Sequence, residues 1–132
     1  DYKPSFEADM VICCEVLEHV DAKDGYDIVK NAVNILKNGG HAIFTAAYVA
    51  RKPHSAFDGG EVREGEYYGN LTEERLRHWA NQLREDFSVP IAFDVYVRDG
   101  EEDVYFVIGK DMEHIKESEM PEIVEVEEEV EA

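Results

Sequence analysis

The sequence predicts an α/β fold with a mostly parallel sheet, and three observations lead there. The run Asp9-Met10-Val11-Ile12-Cys13-Cys14 has the composition of a strand buried on both faces. Apolar residues at helical spacing follow from Ala22 to Lys37, and Asn38-Gly39-Gly40 ends that pattern before a second apolar run, His41 to Ala47. Strand, helix, glycine stop and strand make a βαβ unit, whose strands pair in parallel through a right-handed crossover.

Each element has a local justification. The first strand is expected over Met10 to Cys14, and the polar residues Glu15, Glu18 and His19 then fall at i, i+3 and i+4. If that segment turns helical, all three project from one side, beyond the carboxyl end of the strand, where open α/β sheets place ligands. Asp21 is the expected N-cap of the first helix, with Tyr26, Val29, Val33 and Leu36 on its apolar stripe. Asn38-Gly39-Gly40 has the form of a left-handed C-terminal cap. The stretch from Tyr48 to Asn70 has no sustained period and contains Pro53, Gly59, Gly60, Gly65 and Gly69. A loop of this length within a compact domain is more often functional than idle, and it leaves the second strand beside the same crevice. Thr72 then caps a helix whose stripe is Leu76, Trp79, Ala80 and Leu83, with Trp79 expected in the core. Val89 to Val97 and Asp103 to Ile108 flank the turn signal Arg98-Asp99-Gly100-Glu101 and read as an antiparallel hairpin.

Composition narrows the function classes. With 132 residues the chain is one domain or part of one, and 44% apolar residues suffice for a core. A formal charge of −18 disfavours docking on phosphate backbones, which needs clustered Lys and Arg. Much of the excess lies in residues 111–132, where Lys116 is the only Lys or Arg; these are expected to form an acidic, disordered tail after a folded unit of residues 1–110. Adjacent Cys13 and Cys14 suit neither a disulfide nor zinc spacing and read as two buried thiols in a reducing compartment. Without a membrane-length apolar run or a signal-peptide pattern, an intracellular, cytoplasmic protein is expected. Asp1 to Ala8 lacks an initiator Met and runs almost at once into a central-looking strand, so a missing beginning is expected.

The order Asp9-Met-Val-Ile-Cys-Cys-Glu-Val-Leu-Glu-His-Val20, helix, Leu36-Lys-Asn-Gly-Gly40, strand resembles the second half of the class I S-adenosylmethionine-dependent methyltransferases. Asn38 stands where that family usually has Pro, and the Trp79 helix and closing hairpin match the remaining order, over roughly Phe6 to Lys110. The loop Pro53 to Gly60 with Glu66 to Asn70 is similar to members common in bacteriophages and bacteria. The resemblance implies a Rossmann-like methyltransferase fold, present as the C-terminal part of a doubly wound sheet with an antiparallel closing hairpin. It implies S-adenosylmethionine as cofactor, lined by Cys14, Glu15 and Val16. It further implies that Glu15, Glu18, His19 and His54 either hold Mg²⁺ or Mn²⁺ or play no metal role. Apart from metal, His19 or His54 is either a general base or a hydrogen-bonded structural residue. His41, His78 and His114 read as structural or solvent-facing, and Tyr67 and Tyr68 as either pocket lining or a plug beneath the loop.

The departure is equally informative. No Gly-x-Gly-x-Gly segment occurs anywhere in the sequence, so the chain supplies one wall of a cofactor pocket. A partial methyltransferase acting on an unidentified acceptor is therefore expected, and the alternative is a non-catalytic binding or assembly module keeping half the fold. An exposed sheet edge would favour a homo-oligomer or a complementing chain.

Overall fold

The computed structural model describes residues 6–98 and 100–115. Four strands form one sheet: β1 (Ala8–Cys14), β2 (Leu36–Ala47), β3 (Ile91–Val97) and β4 (Asp103–Lys110), in the order β1-β2-β4-β3. β1 and β2 pair in parallel, as the βαβ reading requires, with Cys14 beside Thr45. β4 runs antiparallel to both β2 and β3 and lies between them. The expected antiparallel hairpin is therefore present at one edge of the sheet, with its second strand, β4, on the inner side and β3 outermost.

Two helices cover one face. α1 (Ala22–Ile35) begins where the Asp21 carboxylate accepts the Asp24 N–H at 2.8 Å, and α2 (Glu73–Asp86) where Thr72 Oγ1 accepts from Arg75 N–H at 3.1 Å. Each side chain satisfies one of the amide donors that a helix start leaves open. Leu76, Trp79, Ala80 and Leu83 are all buried, so the expected stripe and the core position of Trp79 hold. Val29 and Val33 of α1 join Leu76, Trp79 and Leu83 of α2 in one cluster with Ala42, Phe44 and Ala46 of β2 and Val104, Phe106 and Ile108 of β4. Phe44 and Phe106, paired across the ladder, stack at 4.7 Å between centroids. Gly25 sits where α1 crosses α2: a Cβ there would stand 2.8 Å from two carbons of the Trp79 ring.

Three expectations are corrected. α1 ends at Ile35, and Asn38-Gly39-Gly40 lies within β2, where the register shifts between Ala8 and Met10; the positive φ of Gly39 (+89°) serves that irregularity and not a helix cap. Leu36 turns extended because its side chain is buried and its carbonyl accepts from Lys110 Nζ at 2.8 Å. β1 is not buried on both faces: among the described residues it is an edge strand, and Ile12 is 62% exposed. For the same reason Cys13 is half-buried and Cys14 exposed, so they are not two buried thiols. No described helix is long and apolar enough to cross a membrane. Most of the expected acidic tail, residues 116–132, lies outside the described residues.

Candidate functional site at the carboxyl ends of two parallel strands

The site begins where β1 stops. Glu15 N–H still donates to Thr45 O at 2.8 Å, but Glu15 itself has a φ of +56°, a left-handed conformation uncommon for a side chain longer than Asn. That turn redirects the chain into a single 3₁₀ turn, Leu17–His19, closed by His19 N–H to Val16 O at 3.0 Å. The expected helical face of Glu15, Glu18 and His19 does not form, because the helical turn begins only after Glu15. Glu15 stays beside β2, where its carboxylate accepts from Thr45 Oγ1 at 3.3 Å, whereas Glu18 points inward and is 0% exposed.

The long loop closes over Glu18. Gly69 N–H donates to Glu18 O at 2.8 Å, and Leu71 N–H to Ala47 O at 2.8 Å, so the loop's far end is tied to the 3₁₀ turn and to β2. Its near end brings His54 in. Glu18 Oε1 lies 3.6 Å from His19 Nε2 and 3.9 Å from His54 Nε2, and the imidazoles meet edge-on at 4.9 Å between centroids. His54 Nδ1 lies 3.4 Å from Lys52 O, and its other ring nitrogen, Nε2, faces Glu18. The segment around His54 is held by Glu66, whose carboxylate accepts from Ala56 N–H at 2.6 Å, Arg63 N–H at 2.9 Å and Ser55 Oγ at 3.1 Å. Those donors hold the Glu66 carboxyl below the usual range.

One ligand atom each from Glu18, His19 and His54 lies within 4.8 Å of the others, a grouping fit for a cation. Among the described residues no backbone amide or hydroxyl serves either Glu18 oxygen, and His19 Nδ1 is buried without a partner. The proton nearest to hand is Glu15's: burial first, then a hydrogen bond toward Glu18, push the Glu15 carboxyl up to about 7. Burial, with the neighbouring His54 adding to it, lowers the His19 imidazole. A buried carboxylate facing two imidazole nitrogens is costly unless something positive occupies the space between them. A proton or a divalent ion meets that need, and two imidazoles among the three ligands favour a transition-metal ion over Mg²⁺.

Outside the cluster an open hollow of about 420 Å³ is lined by Glu15, Val16, His19, Val20, His54, Ser55 and Ala56. Val16 is exposed at its edge, and Cys14 is exposed at the end of β1. Of the residues singled out in the sequence, Glu18, His19 and His54 are thus brought together, Glu15 and Val16 line the hollow, and Cys14 ends the strand before them without lining it. Tyr68 packs edge-on against His19 and His54, at 5.6 and 5.1 Å, whereas Tyr67 is half-exposed. Sequence reasoning missed Thr45, Glu66 and Asn70. Thr45 carries a usable signal, a polar residue at the carboxyl end of an apolar strand; Glu66 and Asn70 bound the loop segment noted for its resemblance, which assigned neither a role.

Comparison with known proteins adds the following. Residues 4–44 match the model of a family described as a methyltransferase domain. A search of curated proteins finds no match. The chain is similar to the crystal structure of an S-adenosylmethionine-dependent methyltransferase from Clostridium acetobutylicum ATCC 824, with a TM-score of 0.57 and 16% identity, over 85% of this chain and 62% of that one. It is also similar to the DhpI–SAH complex, with a TM-score of 0.53 and 16% identity, over 83% of this chain and 50% of that one. The chain thus spans between half and two thirds of the length of these solved structures. At this identity the likeness establishes the fold.

Proposed function

We propose that this chain, which has the fold of the class I S-adenosylmethionine-dependent methyltransferases, forms the acceptor-facing part of a methyltransferase acting on an oxygen, nitrogen or carbon nucleophile. The observation that carries the reading is the Glu18, His19 and His54 cluster beside the hollow at the carboxyl ends of β1 and β2. Parallel strand ends are where this architecture exposes backbone groups and loops to a ligand. In this reading Cys14, Glu15 and Val16 border the methyl donor, with Val16 offering apolar surface. The loop segment His54 to Ala56 forms the opposite wall, against which the acceptor lies. An acceptor hydroxyl or amine attacks the methyl carbon as the sulfur–carbon bond breaks and the sulfur retains the electron pair. Such a transfer needs alignment and a deprotonated acceptor more than elaborate side-chain chemistry.

The cluster serves that deprotonation in one of two ways. His19 or His54 takes the acceptor's proton directly, and the depressed basicity of His19 keeps its imidazole neutral and able to accept. Alternatively Glu18, His19 and His54 hold a divalent ion, which when bound acidifies an acceptor hydroxyl. The buried Glu18 oxygens, which no backbone amide or hydroxyl serves among the described residues, favour the second.

Calorimetric titration of S-adenosylhomocysteine, with and without Mn²⁺ or Mg²⁺, tests the reading. Micromolar binding supports a methyltransferase, and binding strengthened by Mn²⁺ and lost selectively in Glu18→Gln supports the ion. Absence of binding by this chain under all conditions refutes a self-sufficient cofactor site and leaves either a part of a longer enzyme or the non-catalytic module. An open apolar β1 edge supports association with a second copy or a complementing chain, and sedimentation of a monodisperse monomer would refute it.

A further inference from the structure

Residues 68 to 71 are tied down one by one, and the ties at Tyr68 and Asn70 have no evident use except toward the imidazoles. Gly69 is bonded to the 3₁₀ turn and Leu71 to the end of β2, which already fixes the path of the chain. Tyr68 Oη nevertheless donates to Asn70 Oδ1 at 2.5 Å, and Asn70 Nδ2 donates to Arg51 O at 2.9 Å. The Tyr68 hydroxyl is thereby anchored, through a side-chain amide, to the strand of loop that leads to His54. The ring meets both imidazoles at steep angles, 65° to His19 and 67° to His54, while those two meet at 84°. Three rings in mutual edge-to-face contact cannot turn independently. The Tyr68 hydroxyl lies on the ring's own axis, so the tether does not prevent ring rotation; it prevents the ring from swinging away about its Cα–Cβ bond.

We propose that Asn70 and Tyr68 are positioning residues: Asn70 holds the Tyr68 hydroxyl, and the held ring keeps the Nε2 atoms of His19 and His54 aimed at Glu18. This deepens the reading of the Glu18, His19 and His54 cluster as a cation site and rests on it. Metal-ligating imidazoles depend on surrounding groups for orientation, and loss of such support typically weakens binding by about 10- to 100-fold. Here the support is a packed ring on a tether, not a direct hydrogen bond, so a weakening near the lower end, about 10-fold, is expected.

The test uses Co²⁺ itself as probe, because its visible absorption reports ligand geometry as well as occupancy. The wild-type chain, Tyr68→Phe, Asn70→Ala and the double variant are titrated, with Tyr67→Phe as the exposed-tyrosine control and thermal unfolding of the cation-free proteins alongside. Each single variant is expected to bind Co²⁺ about 10-fold more weakly with an altered absorption band, and the double variant no more weakly than either, because both break one tether. Tyr67→Phe is expected to match wild type. Additive losses, or losses that track lowered thermal stability with an unchanged band, would reduce both residues to ordinary loop packing and overturn the proposal. Wild-type affinity in both single variants would overturn it as well, while leaving the cation site standing. If wild type binds no Co²⁺, the cation reading fails and this inference falls with it.

Discussion

The Gly25→Ala substitution sets two known effects of opposite sign against each other. Alanine is favoured over glycine within a helix by up to about 1 kcal/mol, and an exposed site in α1 would be stabilised accordingly. At Gly25 the added Cβ would stand 2.8 Å from Cη2 and Cζ2 of Trp79, well inside van der Waals contact. The ring cannot retreat cheaply, since Trp79 is 2% exposed and packed within the common core of α1, α2 and the sheet. Overpacking of this kind costs about 1–3 kcal/mol, so a net loss of roughly 1–2 kcal/mol is expected. That corresponds to a fall in Tm on the order of 4–8 °C for a domain of this size. Urea unfolding followed by far-ultraviolet circular dichroism measures it. Repeating the substitution in a Trp79→Phe background identifies the cause: the smaller ring leaves room, and the cost of Gly25→Ala should shrink by about 1 kcal/mol. If Gly25→Ala is neutral or stabilising, or costs the same beside Phe, the close crossing of the two helices is not what places glycine there.

Three further outcomes are expected. Glu18→Gln should leave the cation-free chain at least as stable as wild type, because it removes a buried charge without fixed donors; it should abolish the rise in Tm that saturating Mn²⁺ gives wild type, worth about 2.7 kcal/mol at a hundredfold excess over Kd. A loss of cation-free stability would show that the charge already has a partner. Glu15, raised from 4.5 to about 7, binds its proton more tightly when folded, so its contribution is complete below pH 4.5 and is lost as pH rises through about 7. Solvent screening of this partly exposed group reduces the effect to about 1 kcal/mol. The lowered His19 gives an opposite slope around pH 6.5, so the informative quantity is the difference between wild type and Glu15→Gln across pH 4.5–8; equal slopes would refute the shift. Glu66→Ala removes the acceptor for Ser55, Ala56 and Arg63, and trypsin should then cut after Arg63 markedly faster, whereas unchanged cleavage would mean that the loop holds its shape without that carboxylate.

What the sequence determined by itself was whatever depends on short-range pattern. The stripe of α2 and its Thr72 cap, the parallel βαβ unit and the strand-end segment Cys14 to His19 all follow from periods and caps within one element. His54 was nameable as a chemical type, and so was its place in a loop beside the crevice. Tertiary structure decided the rest. β4 enters between β2 and β3 because ladder pairing is a long-range choice that no local period encodes. Glu15 and Glu18 approach each other from separate backbone settings and not from one helical face, because one left-handed residue ends the strand before the turn begins, a backbone event invisible in letters that fit a helix. His54 meets Glu18 only because Gly69, Leu71 and Glu66 tie both ends of an aperiodic loop. Asn70 matters only where Arg51 O and Tyr68 Oη converge on it. Periodicity reports which face of an element is buried; where an aperiodic segment lies depends on bonds between residues far apart in the chain, which no local pattern encodes.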